Sequence, residues 1–249
     1  MLSSYNSIYL APHLDDVALS CGGQVFQQTQ TEQSVLVVTV TAGNPPNAEF
    51  SAYAQGQHAN WQLVVDTVAQ RRQEDIKACT QLGTDWLHWD IPDCIYRRHP
   101  VTGETFYNSD EALFGVVHSA EIPLINILAQ RMLTLPKADT IYVPLGLGDH
   151  VDHQLVRQAA EVAFGSRLSY YEDYPYIQRH GVASRIGKIG NNWESALIEI
   201  SAEAHQVKVE AISAYNSQLS TLFGSIQAMK EQVNTFNANN GGECIWKQA

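Results

Sequence analysis

Ser7-Ile8-Tyr9-Leu10-Ala11-Pro12-His13-Leu14-Asp15-Asp16 is an apolar run that passes at once into an imidazole and paired carboxylates. Residues 7–11 suit a short buried strand. Residues 16–28 read as a helix whose acidic first turn favours its N-terminal dipole. The same order recurs far along the chain. Thr140-Ile141-Tyr142-Val143-Pro144 leads through a bend at Gly146-Leu147-Gly148 into His150-Val151-Asp152-His153, and residues 153–164 again have helical spacing. In an open α/β sheet, ligands bind beyond the carboxyl ends of the strands. The two loops therefore converge if their strands are neighbours in one parallel sheet. Together they offer two or three imidazoles and three carboxylates. That inventory suits a zinc ion with a water held beside a general base.

The rest of the first half repeats strand and helix. Residues 35–40, Val-Leu-Val-Val-Thr-Val, are the β-branched run of a central parallel strand covered on both faces. Residues 63–82 are helical, with Gly83 as the C-cap. Residues 86–89 and 168–172 read as strands and 122–133 as a helix. This repetition predicts an α/β fold, a Rossmann-like, doubly wound and mostly parallel sheet flanked by helices, with a small C-terminal extension. We read residues 1–249 as one domain, with the core at about 5–175 and C-terminal strands and helices at about 180–236. In that extension 185–189 and 196–200 read as strands of a small second sheet. Residues 202–236 read as helical with a break near Asn216-Ser217, and 237–242 as a polar tail. The long connections 42–60 and 91–120 are expected to wall a substrate cleft.

The chain has 249 residues, is 45% apolar and carries a formal net charge of −11. The acidity opposes binding to nucleic acid or anionic lipid. No uninterrupted apolar segment is long enough for a membrane span. The first apolar run lacks a basic segment before it, and the four cysteines form no CxxC pair; both fit a cytoplasmic protein with reduced thiols. Gly22-Gly23 lies inside the first helix rather than before it, so it cannot cradle a pyrophosphate, and no GxSxG elbow or P-loop is present.

The two motifs His13-Leu14-Asp15-Asp16 and His150-Val151-Asp152-His153 resemble those of the PIG-L (LmbE-like) family of zinc-dependent N-deacetylases. Arg71-Arg72-Gln73-Glu74 is similar to that family's Arg-x-x-Glu, Leu82-Gly83 to the Leu-Gly that closes its second helix, and Tyr171-Glu172-Asp173-Tyr174-Pro175-Tyr176 to a segment of bacterial members. Leu14 and Val17 stand where many members carry Pro and Glu.

The resemblance implies His13, Asp16 and His153 as ligands of Zn2+, with Fe2+ an alternative for the same donors. It implies Asp15 as the general base. His150 is a candidate to polarise the acyl oxygen or to protonate the amine, with Asp152 accepting a hydrogen bond from it and raising its pKa; the plainer reading has both residues supporting the ligands. Arg71 would hold a polar or anionic part of the substrate; a surface pair with Glu74 or Asp75 is the plainer reading. The substrate expected is a small N-acylated, chiefly N-acetylated, amino sugar. The rivals are an amidase on a thiol-conjugate or natural-product amide, and a non-catalytic sugar-binding protein. His58, Trp61, Asp93, Tyr96 and Arg97 suit sugar recognition, although any cleft rim carries such residues, and Tyr174 and Tyr176 read as core. His88, His99, His118, His180 and His205 lack ligand spacing. Homo-oligomerisation is left open.

Overall fold

Seven strands form one sheet in the computed structural model, which describes residues 1–61, 66–179 and 192–248. Strand β1 (Ser4–Ala11) is central, parallel on one side to β2 (Val35–Thr39) and on the other to β4 (Lys137–Pro144). Beyond β2 lies β3 (Asp85–His88), and beyond β4 lies β5 (Leu168–Tyr171), both parallel. The order reverses direction between β1 and β4, where Ile8 faces Ile141 and Tyr9 faces Tyr142. This is the topological switch point of a doubly wound sheet, and the neighbourhood that the two motif loops require.

Successive residues of a strand point to opposite faces. Tyr9, Ala11, Val35 and Val37 pack beneath α1 (Asp16–Gln30) and α3 (Thr67–Leu82). The same core takes in α7 (Ala202–Ser213), α8 (Asn216–Phe223) and α9 (Ile226–Asn240). Ile8, Leu10, Leu36 and Val38 pack on the other face against α5 (Ile122–Met132) and α6 (Val151–Phe164). Burial on both faces is why β2 and the second half of β1, residues 8–11, are almost wholly apolar rather than alternating. Gly22 and Gly23 serve close packing: a Cβ on Gly22 would lie 3.0 Å from Lys208 Cγ, and one on Gly23 2.6 Å from Ile200 Cγ2.

The C-terminal expectations need correction. Residues 196–200 belong to β6 (Trp193–Glu199), which joins the main sheet rather than a second one. It pairs antiparallel with β7 (Gly242–Gln248), and β7 pairs antiparallel with β5 through Tyr170–Trp246 and Tyr171–Ile245. The segment expected as a polar tail is the end of α9 followed by a strand. Gly241, at φ 77°, caps the helix, and β7 finds its hydrogen bonds on two distant strands. Nothing local announces such a strand. The expected strand 185–189 lies outside the described residues, as does the start of helix 63–82.

The connection 42–60 contains α2 (Ala52–Asn60), capped by the Ser51 hydroxyl. The connection 91–120 contains a 3-10 turn, Cys94–Tyr96, and the short α4 (Asp110–Leu113). The two share a small core of their own, including Ala54, Trp61, Ile95, Tyr96 and Tyr107. It reaches the sheet's carboxyl end through Val151.

Candidate metal centre

Five of the motif side chains, those of His13, Asp15, Asp16, His150 and His153, gather at the carboxyl ends of β1 and β4, all buried. The turn after β4 needs positive φ at Gly146 (78°), Gly148 (90°) and Asp149 (62°), which aims His150 and His153 back across the sheet. His150 caps α6, its Nδ1 accepting the backbone N–H of Asp152 at 3.2 Å. Asp15 precedes α1 at φ 155°, ψ −25°, a conformation L-residues rarely adopt. Strain of this kind collects at functional sites.

His13 Nδ1 lies 3.4 Å from Asp16 Oδ2, and His153 Nε2 lies 3.4 Å from Asp16 Oδ1. The outward ring nitrogens are both held: His13 Nε2 by Asp152 Oδ2 at 3.0 Å, and His153 Nδ1 by Asp173 Oδ1 at 2.5 Å. Metal-ligating imidazoles characteristically engage their second nitrogen in this way. His153 Nε2 is buried with no hydrogen-bond partner among the described residues, despite the neighbouring Asp16. An orphaned imidazole nitrogen facing a carboxylate and a second imidazole fits a divalent metal. His150 is near as well, since His13, His150 and His153 each offer a nitrogen within 4.8 Å of the others.

The electrostatics of the metal-free cluster separate its members. Asp15 and Asp16 part company: burial and the neighbouring Asp16 charge push Asp15 up to about 7, against the pull of Arg71 and His13. Burial opposes ionisation of Asp16 too, yet the His153 and His13 rings hold it well below the usual carboxylate range. Burial also opposes charging of His153, but Asp16 and Asp173 raise it to about 9. His150 goes the other way. Burial, then the His13 and His153 rings, carry it well below 6.5, and the Asp152 charge does not compensate.

Two expectations change here. Asp152 does not accept a hydrogen bond from the His150 ring; its backbone N–H donates to that ring instead. The Asp152 carboxylate is taken by His13 Nε2, by Arg97 Nη1 at 2.6 Å and by the Cys94 N–H at 3.1 Å. Burial above all, with the neighbouring His13 and His153 rings, lowers the His150 pKa where a raised one was expected. Arg97 is no rim residue: it is buried and forks onto Glu121. His58 and Tyr96 bond each other at 2.6 Å.

A cavity of about 310 Å³ opens beside the cluster, and His13, Asp15, Asp16 and His150 line it. Both long connections contribute walls, through Tyr53 and Trp61 from the first and Asp93 and Phe114 from the second. Arg71 reaches the cavity, its guanidinium 4.7 Å from the Trp61 ring centroid and 3.8 Å from Asp93. It does not form the surface pair. Glu74 binds Ser217, and Asp75 binds His88 and Tyr215.

Asp173, which no motif spacing marks as functional, follows the carboxyl end of β5, a position the same sheet rule marks. No motif marks Phe114 either. Tyr176, expected in the core, instead lines the cavity and stacks on His150 at 6.1 Å. Tyr174 is a core residue as expected.

The fold and cluster define a metal-dependent hydrolase built at the switch point of a doubly wound sheet. The family profile described as GlcNAc-PI de-N-acetylase, PIG-L, matches residues 8–164, and the chain belongs to that family. Its chemistry is metal-dependent N-deacetylation. The chain is 28% identical to 2'-N-acetylparomamine deacetylase of Niallia circulans over 97% of its own length and 90% of that protein's. It is 27% identical to the Streptomyces fradiae protein of the same name, over 85% and 73%. The zinc-inhibited form of teicoplanin deacetylase superposes with a TM-score of 0.81 at 26% identity, covering 96% of each chain. No helix among the described residues is long and apolar enough to cross a membrane.

Proposed function

We propose that this chain removes the acetyl group from an N-acetylated amino sugar, with zinc held by His13, Asp16 and His153. The observation that carries the site is the buried His153 Nε2, without a hydrogen-bond partner among the described residues and 3.4 Å from Asp16 beside His13. Two imidazole nitrogens and a carboxylate form a common catalytic zinc set that leaves one position open. The sugar reading is supported by the names of the relatives and by a cleft that combines an Arg71–Trp61 stack with carboxylates.

When bound, the ion acidifies a water molecule and polarises the acyl oxygen. Asp15 takes a proton from the attacking water, a task suited to a carboxylate whose pKa lies near neutrality. His150, neutral with its Nδ1 occupied, donates its Nε2–H to the acyl oxygen as negative charge develops there. Asp15 then returns its proton to the departing nitrogen, the C–N bond breaks, and acetate and the free amine leave. Arg71, stacked on Trp61, holds the sugar. Asp152 acts on His13, keeping its Nδ1 for the metal.

The test is mass-spectrometric screening of N-acetylated amino sugars, with and without an aglycone, against metal-loaded protein. A mass loss equal to the net replacement of acetyl by hydrogen is what the reading requires. Turnover of other amides with none on any amino sugar would overturn the substrate class.

A further inference from the structure

A chain of five buried side chains runs from the middle of the second long connection to His13. Tyr107 OH donates to Glu121 Oε2 at 2.6 Å. Glu121 accepts Arg97 Nε at 2.5 Å and Nη2 at 3.1 Å, a bidentate fork. Arg97 Nη1 donates to Asp152 Oδ1 at 2.6 Å, and Asp152 Oδ2 meets His13 Nε2 at 3.0 Å. Every member is less than a tenth exposed, and Asp152 is wholly enclosed. The polypeptide is tied in at each link. The Pro92 carbonyl accepts from Arg97, the Cys94 N–H donates to Asp152, and the His118 N–H donates to the Tyr107 hydroxyl.

We propose that Arg97 and Glu121 are positioning residues for the metal ligand His13, and that the second long connection, with Glu121 just beyond its end, sets metal affinity through them. The inference rests on His13 being a ligand. Asp152 fixes the His13 tautomer, with the proton on Nε2 and Nδ1 free for the ion. A lone carboxylate could rotate. Arg97 removes that freedom by claiming the other oxygen, and Glu121 locks the guanidinium in its plane. Two carboxylates share one guanidinium, so the relay leaves negative charge behind the ring and makes Nδ1 a better donor to a cation.

The experiment measures zinc affinity by chelator competition in wild type, Arg97→Lys, Glu121→Gln, Tyr107→Phe and His13→Ala. The d–d spectrum of the cobalt-loaded forms is recorded alongside, and folding is checked by melting. Arg97→Lys keeps the charge and loses the fork. It and Glu121→Gln are expected to weaken zinc by about 10–100-fold, the usual effect of changing an outer partner of a metal ligand, and to shift the cobalt spectrum. Tyr107→Phe, which removes one hydroxyl at the far end, should fold and weaken zinc several-fold in the same direction. The proposal is overturned if His13→Ala loses zinc while Tyr107→Phe and every folded variant of Arg97 and Glu121 keep wild-type affinity and spectrum. A fall in melting temperature without a change in affinity overturns it equally, because it makes the relay a prop for the loop alone. Wild-type zinc affinity in His13→Ala would instead remove the site assignment on which the inference stands.

Discussion

His150 Nδ1 accepts the backbone N–H of Asp152 at 3.2 Å, so the ring proton of the neutral imidazole resides on Nε2. Burial and the two neighbouring imidazoles keep the ring in that form. In the proposed mechanism the residue is a preorganised donor whose work does not depend on imidazolium. His150→Ala is expected to lower kcat by about 10²–10³-fold with metal content unchanged, the range found for losing one oxyanion donor. Metal analysis and steady-state kinetics on one preparation check this. Loss of the ion would instead make His150 a ligand.

Asp15→Asn should retain metal and fold and lose about 10²–10⁴-fold in turnover, the worth of a general base. The base works deprotonated, so wild-type kcat/KM should rise with pH to a plateau. Its inflection should fall below about 7, the metal-free value, because a nearby dication favours the carboxylate. That acid limb should be absent from the residual activity of the Asn variant. An unchanged limb would assign it to another group.

Metal uptake should release protons. His153 is raised to about 9 in the metal-free cluster, so at neutral pH it is protonated there and must lose its proton to ligate. Affinity should climb with pH through about 9, and His13, opposed by burial yet raised well above its ordinary value by Asp152 and Asp16, adds to the release. The stability of metal-free protein should move the opposite way. A folded pKa above the unfolded value of 6.5 contributes stability that is complete below 6.5 and lost as pH rises through about 9. Calorimetry in buffers of different ionisation enthalpy, with melting scans across pH 6–10, tests both. Zinc binding without net proton release at pH 7.5 would contradict the charge assignment.

Arg71→Ala should reduce kcat/KM on an amino-sugar substrate by roughly 10–100-fold, corresponding to ~1.5–3 kcal/mol for a hydrogen bond to a charged group. Its Nε has no partner among the described residues, although the side chain is buried against the cavity. Arg71→Lys should recover little, because the stack on Trp61 depends on a planar guanidinium. Equal kcat/KM in Arg71→Ala and wild type would return the residue to a structural role.

What could be read from the chain was what is encoded locally. The two-faced strands β1 and β2, the helices that follow the motif loops, and His13, Asp15, Asp16, His150 and His153 each sit in a contiguous pattern of apolar residues, turn and polar tip. The switch-point rule then placed the two loops together, because β1 and β4 are parallel neighbours. Less was legible where partners are remote. The strand β7 follows a polar stretch and exists because β5 and β6 offer it hydrogen bonds.

The sequence by itself determined the fold class, the donor inventory and the positions in the chain from which it comes, since periodicity and motif spacing are properties of short segments. Only the tertiary structure decided how those groups differ in partner and in charge. The partner of Asp152, the protonation of His150 and the split between Asp15 and Asp16 depend on burial and on charges from distant segments. Arg97 looks like an exposed loop residue in sequence. It joins the buried network behind His13 because folding encloses it between two carboxylates, Asp152 and Glu121, that lie 55 and 24 positions away.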